Sequence, residues 1–444
     1  MYRVLLITSL FFIGFSSLAQ QTLSLVSVDT QTYSLWQRKD WDGLIEKGKE
    51  ALSANIDFYY LRVRMGIAYY ERKNYHMALH HFEKAYKLQS NEPYLKEYLY
   101  YSYLFAGREA DARVFGETLP ISMKKNLGIA DEKYVDGLNL FYSYATNLNQ
   151  SLGENYSIDV DLLKDGSQFI SKSLGVFNLG LKHEVKPNFS IYHAYSNIQK
   201  KSFMYLQEDG VAYTDANNSS SLNQYYFSGN IRVAKGLNLS TGFHYINLRY
   251  PYEETVIGQG QPRIVTTTYS EHDFVGFASL TKSFRYITLG TTIYYSALNG
   301  AKQLQNDYLL SFYPMGNLNL YAVSTASLQR EIFSNNSFDN RFVFHQLIGT
   351  KVFEFLWLEG FATYGDLHNF IQNNGSTVYN GTDLIKGIYG GRFIVFIKPQ
   401  IKFTLNYNYQ NLESYFASSQ DYRKGINRIE YLNHSLTGGL TWNF

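Results

Sequence analysis

The stretch Asn433-His434-Ser435-Leu436-Thr437-Gly438-Gly439-Leu440-Thr441-Trp442-Asn443-Phe444 decides the fold. Counting back from Phe444, apolar or small residues stand at Trp442, Leu440, Gly438 and Leu436, and Asn443, Thr441, Gly439, Thr437 and Ser435 alternate with them. Successive side chains of a strand point to opposite faces, so the segment is greasy on one face and polar on the other. The same phase recurs upstream. Ile401, Phe403, Leu405, Tyr407 and Tyr409 alternate with Lys402, Thr404, Asn406, Asn408 and Gln410, and Ile287, Leu289 and Ile293 with Thr288, Gly290 and Thr292.

A terminal strand of this pattern, ending on an aromatic residue, resembles the closing strand of Gram-negative outer-membrane β-barrels. The resemblance implies that Leu440, Trp442 and Phe444 form the signal read by the barrel-assembly machinery, with the outer-membrane bilayer as the solvent. The other end agrees. Met1-Tyr2-Arg3 is a short basic start, Val4 to Phe15 an apolar run, and Ser17-Leu18-Ala19 a small-x-small site. Residues 1–19 are therefore expected to be a cleaved signal peptide, with 20–31 the start of the mature chain. The apolar run is too short to span a bilayer as a helix, and no later stretch of roughly 18 apolar residues exists to do so. Insertion is expected through strands.

Composition narrows the choice further. The chain has 444 residues, no cysteine, and 40 basic against 38 acidic residues. Without cysteine there are no disulfides and no lipid-attachment site after the signal. A formal charge of +2 makes no large field, which argues against a nucleic-acid partner. Tyrosine (41) and phenylalanine (31) suit a membrane boundary, where a ring is buried and a hydroxyl stays wet.

The texture changes near residue 130. Between Thr32 and Phe115 the pattern is helical and repeats at about 34 residues, the period of tetratricopeptide repeats. Gly66, Tyr69, Tyr75, Ala78, Phe82 and Ala85 fall on the small and large packing positions of the central copy. A shift by one period sets Trp41 against Tyr75, Ala51 against Ala85, Tyr103 against Tyr69, and Ala112 against Ala78. Pro93 opens the last copy and Gly107 marks its turn. Residues 32–129 thus look like a short tetratricopeptide array in the periplasm. Such an array docks a periplasmic or outer-membrane protein partner, or packs as a spacer on the barrel. His76 and His80, at i and i+4 with His81 beside them, have a zinc-compatible spacing. They lack the His-Glu-x-x-His arrangement, and a solvated helix face is the expectation.

Residues 130–444 read as a barrel because their connections alternate between tight and long. Tight turns fall at Lys186-Pro187-Asn188, Ala234-Lys235-Gly236, Ser283-Phe284-Arg285, Pro314-Met315-Gly316-Asn317, Phe353-Glu354 and Lys398-Pro399. Long polar stretches lie between them at 147–168, 199–221, 250–270, 331–340, 368–381 and 411–427, with Asn299-Gly300 a single short hairpin on the same side. Short periplasmic turns and long external loops are the barrel rule, and the alternation predicts about fourteen antiparallel strands.

Strand phase points Arg232, His244, Glu359, Lys386, Arg392 and Lys402 into the lumen. Charges there either select a permeant or form ion pairs that stiffen or close the barrel. Tyr226 and Tyr294, also inward, either stack on a sugar ring or fill the lumen. Asp159, Asp161 and Asp165-Gly166 miss the spacing of a full calcium loop. Gly180-Leu181-Lys182-His183 resembles a fragment of the outer-membrane phospholipase His motif, but the companion His-x-Ser triplet is missing. A structural role for His183 is expected, with no enzyme activity and no cofactor.

In domain order the chain resembles exporters of poly-N-acetylglucosamine and cellulose and YaiO-like outer-membrane proteins. The resemblance implies a transport or export porin with a periplasmic docking domain. The alternative is an accessory subunit of a larger outer-membrane assembly, with a plugged barrel that anchors the repeats.

Overall fold

Ser24 opens the helical region. Its hydroxyl accepts from Ser27 N at 3.1 Å, while the Ser27 hydroxyl accepts from Ser24 N at 3.0 Å, a reciprocal cap that satisfies two otherwise orphaned amides. The computed structural model describes residues 23–129, 134–154, 165–208, 211–256, 263–333, 336–417 and 425–444. The expected signal peptide, residues 1–19, lies outside them, as do Asp159 and Asp161.

Seven helices stand between the cap and the first strand among the described residues: α1 (Leu25–Gln37), α2 (Trp41–Ser53), α3 (Tyr59–Glu71), α4 (Tyr75–Leu88), α5 (Pro93–Phe105), α6 (Glu109–Glu117) and α7 (Ile121–Asn126). The helical region therefore begins at Leu25 rather than Thr32, because the Ser24 cap starts a turn that buries Val28. Asp40 caps α2 through Gly43 N, and Asn74 caps α4 through Met77 N, both at 3.1 Å. From α1 to α6 each helix packs on the next, and α1 also touches α3, as α3 touches α5. Ala51, Ala78, Ala85, Phe82 and Ala112 are fully buried between them. Gly66 lets α3 and α4 close up, since a methyl group there would collide with the Phe82 ring. Tyr69 stacks on His81 at 5.3 Å, and Tyr75 meets Tyr70 edge-on at 5.2 Å.

The strands are β1 (Gly137–Asn147), β2 (Gly166–Lys186), β3 (Phe189–Glu208), β4 (Val211–Ala234), β5 (Leu237–Val256), β6 (Arg263–Ser283), β7 (Ile287–Leu298), β8 (Ala301–Phe312), β9 (Leu320–Ile332), β10 (Phe338–Phe353), β11 (Leu356–Gly365), β12 (Phe370–Gln372), β13 (Thr377–Tyr379), β14 (Leu384–Lys398), β15 (Ile401–Phe416) and β16 (Ile426–Asn443). All but β12 and β13 form one closed antiparallel barrel of fourteen strands, each paired with its sequence neighbour and β1 paired with β16. The seam runs in unbroken register from Gly137↔Asn443 to Asn147↔Asn433. Phe444 N adds a last bond to Asp136 O at 2.9 Å.

Period-two alternation sets the two faces. Leu436, Trp442, Phe403 and Tyr407 point outward and are exposed, whereas Asn433 and Ser435 are turned in and buried. The tight turns stand where the sequence places them, at the helix-bearing end of the barrel. At the far end the outcome differs. The stretches 199–221 and 250–270, read as loops, are the tops of two β-ribbons, because β3, β4, β5 and β6 extend through them. Many of their cross-strand partners are polar, as where the Thr266 hydroxyl donates to Glu253 at 2.7 Å, and scattered apolar ones such as Leu206↔Tyr213 and Tyr250↔Tyr269 form no regular alternation that announces a strand. The stretch 368–381 is no external loop either, for it carries β12 and β13 into the lumen.

Candidate functional site

The lumen is occupied by the segment that joins β11 to β14. Asn373, Asn374 and Gly375 turn the chain with φ of 55°, 52° and 81°, a left-handed run that amides and glycine tolerate. Strands β12 and β13 pair across this turn, Phe370↔Tyr379 to Gln372↔Thr377. Apolar side chains pin the hairpin to both walls. Ile371 and Val378 pack on Ile246, Val275, Phe277 and Tyr294, while Leu367, Phe370 and Tyr379 pack on Val343, Phe361 and Ile388.

Polar bonds fix the register of the plug. Gln305 donates to Ile371 O at 2.6 Å and accepts from Ile371 N at 3.1 Å. The Tyr226 hydroxyl donates to Asn374 O at 2.9 Å, and His244 Nδ1 donates to Gly375 O at 2.8 Å, which sets its tautomer. Asn369 donates to Glu331 at 2.8 Å, and Arg341 reaches both Glu331 and His368 O. Asn380 donates to Asp273 at 2.9 Å. Tyr226 and Tyr294 therefore serve the hairpin. Its sequence signal is Leu367, Phe370-Ile371 and Val378-Tyr379, apolar pairs on either side of a hairpin turn inside a stretch that otherwise reads as polar loop.

The remaining inward charges divide by place. Glu359 accepts from Arg392 at 2.8 Å and from the Tyr321 hydroxyl. Lys386 lies 3.6 Å from Asp366 and 3.7 Å from Glu413. Lys402 is half-buried beside Thr441 at the helix-bearing end. Between these groups, strands β15 and β16 set amides and hydroxyls against one another: Asn406↔Thr437, Asn408↔Ser435 and Gln410↔Asn433. This polar lane stops at the far end under Ile170, Phe203, Leu412 and Tyr431. There Asp383 accepts from the Tyr431 hydroxyl at 2.5 Å and from Lys200 at 2.7 Å.

Arg232 leaves the lumen for the helices. Its Nε donates to Asp111 of α6 at 2.8 Å, and the other oxygen of that carboxylate accepts from Gly236 N at 2.9 Å and Arg108 Nε at 2.8 Å. Nothing in sequence links an aspartate in a helix to an arginine in β4. Three further contacts seat the helices on the tight turns: His76 N on Gly316 O at 3.0 Å, Asn317 on Lys73 O at 2.8 Å, and Asn74 on the Tyr286 hydroxyl at 3.2 Å. A cavity of about 340 Å³ remains at this junction, bounded by Arg108, Lys182, Asn230 and Ser240.

The histidines of α4 belong to this junction. His76 is buried and stacks on Tyr313 at 4.9 Å, so the solvated helix face expected from its spacing is corrected to a docking face. Burial, helped by the Arg108 charge, pushes His76 down to about 4. Burial and then neighbouring cations push His80 down to about 4, and burial with the adjoining His80 pushes His81 down to about 3. His183 sits on the outer face, 3.1 Å from His193, and its Nδ1 donates to Tyr134 O at 2.8 Å. Ser190 is the cross-strand partner of Glu184, not of His183.

No family model and no curated protein matches the chain. Among solved structures it is similar to the Pseudomonas putida toluene transporter TodX, at 8% identity and a TM-score of 0.43 over 72% of this chain and 92% of that one. It is similar to a Pseudomonas aeruginosa FadL homologue at 10% identity and 0.41 over 77% and 94%. A bacterial polysaccharide outer-membrane secretin aligns at 8% identity and 0.36 over 69% and 98%.

Proposed function

We propose that the chain is a non-enzymatic outer-membrane transport barrel with a gated lumen, whose helices form a tetratricopeptide-like docking domain in the periplasm. The observation that carries this reading is the amide-and-hydroxyl lane along β15 and β16, which ends beneath a loop segment held by separable polar bonds. A wall of asparagine, serine and threonine suits a hydrated path, and the hairpin that fills the lumen beside it is the obstruction a gate would move. Arg392, Glu359, Lys386 and Lys402 then bias what passes, while Arg232 and His244 hold the barrel to its helices and its hairpin. Leu440, Trp442 and Phe444, on the closing strand, serve barrel assembly.

The docking half of the proposal draws on a cleft of about 530 Å³ lined by Trp36, Trp41, Ile67 and Tyr98, residues that none of the barrel contacts above use. Such a cleft suits a protein segment. A second reading, a plugged anchor within a larger assembly, draws on the apolar clusters that fasten the hairpin to opposite walls.

Planar-bilayer recording separates the two readings. Full-length protein and a variant with 370–379 replaced by a short glycine-serine link are compared. Conductance that appears or rises in the variant supports the gate. A variant that is folded yet silent leaves the anchor, and a pull-down with and without residues 25–126 then identifies what it anchors.

A further inference from the structure

We infer that the outer face of β8 and β9 carries a binding site for the phosphate of an anionic lipid, built from Arg330 and Lys302. The inference rests on the membrane placement proposed above and adds a specific ligand to it. Outward positions along β8 run Lys302, Leu304, Asn306, Tyr308, Leu310 and Phe312, a cation followed by a largely apolar column. Between Lys302 and Phe312 a tilted strand rises about 25 Å, the height of a barrel's apolar band. Lys302 therefore sits at the upper edge of that band, two residues below the Asn299-Gly300 turn.

Arg330 is the neighbouring outward cation. It pairs in register with Leu304 on one side and Asn340 on the other, which makes it a diagonal neighbour of Lys302 at about 7–8 Å. Its guanidinium is already oriented. Nε donates to Asn340 Oδ1 at 2.9 Å, and the plane lies over Phe338 at 4.9 Å. This leaves the terminal nitrogens as a rigid fork, a geometry that matches two phosphate oxygens, with the lysine as a second point charge.

Charge on this face has one sign. The carboxylates of the same strands, Asp307 and Glu331, are buried on the inner side, and Asp339 reaches Arg341 there. Among the described residues neither Arg330 nor Lys302 has a carboxylate partner. Two uncompensated cations above an apolar column fit a ligand with an anionic head and acyl chains.

The test uses full-length protein in nanodiscs of phosphatidylcholine containing a minor share of phosphatidylglycerol, with bound phosphatidylglycerol and phosphatidylcholine quantified separately by mass spectrometry after mild detergent extraction. Each cation near a charged surface is worth about a five-fold preference, so Lys302→Ala with Arg330→Ala is expected to lower retained anionic lipid roughly ten-fold or more. Arg330→Lys is expected to fall between, because it keeps the charge and loses the fork. Equal retention by correctly inserted wild type and double variant overturns the site. Displacement of the lipid by millimolar inorganic phosphate without loss of neutral lipid would instead make it a free-phosphate site. Failure of the wild type to insert at all would overturn the membrane placement, a separate outcome.

Discussion

The Asp111 carboxylate of α6 and the Arg232 guanidinium of β4 meet at 2.8 Å, joining the helical domain to the barrel through an almost fully buried ion pair. Asp111 also takes Arg108 and the Gly236 amide, so one carboxylate offsets two guanidinium charges. Asp111→Ala leaves both arginines without that offset, at a cost of about 3–5 kcal/mol to docking. Limited proteolysis should then cut between residue 129 and β1 much faster, with the barrel's heat-modifiable gel mobility unchanged.

Docking should also weaken in acid. The folded state holds His76 well below its ordinary value, so the neutral form is favoured and its contribution is complete above about pH 6.5. It is lost as pH falls from there toward 4, at about 1.4 kcal/mol per unit for a single site. Protease susceptibility of the helical domain measured from pH 7.5 to 4.5 should rise over that window. His76→Phe, which keeps a ring against Tyr313, should flatten the His76 share of the rise.

Asp383→Asn removes the charge opposite Lys200 and weakens the acceptor of the Tyr431 hydroxyl. Both partners are largely buried, so this tether at Asp383 should lose on the order of 2–3 kcal/mol. On the gated reading proposed above, the fraction of time open in single-channel records is expected to increase by roughly one to two orders of magnitude. Tyr431→Phe, which leaves the ion pair intact, should have a smaller effect.

Gly66→Val places two methyl groups against the Phe82 ring, and α3 and α4 must part. Overpacking of this kind costs about 1–3 kcal/mol. Hydrogen exchange should accelerate in α3 and α4 while the barrel amides stay protected.

Much of this architecture is legible in the chain because the barrel's outer and inner faces impose opposite demands on alternate residues. Tyr407 and Asn408 could be assigned to faces from their neighbours alone. The two tall ribbons escaped because polar residues such as Thr266 and Glu253 face each other across the strands, which blurs the alternation that reveals a strand. The hairpin in the lumen escaped for a different reason. A segment between two strands reads as exterior unless its apolar pairs, here Phe370-Ile371 and Val378-Tyr379, are counted against the glycine turn between them. Strand phase points Arg232 inward, yet its partner Asp111 lies more than a hundred residues away in another kind of structure. No local pattern reports such a pair.

The seam between β1 and β16 sets an order of events. The ring closes only when the last strand of the chain meets the first, and until then the outermost strands of the open sheet each carry an unpaired edge. The hairpin of β12 and β13 comes from inside that sequence. Its side chains pack on β4 to β7 on one side and on β10, β11 and β14 on the other, so the plug braces walls that share no direct strand pairing.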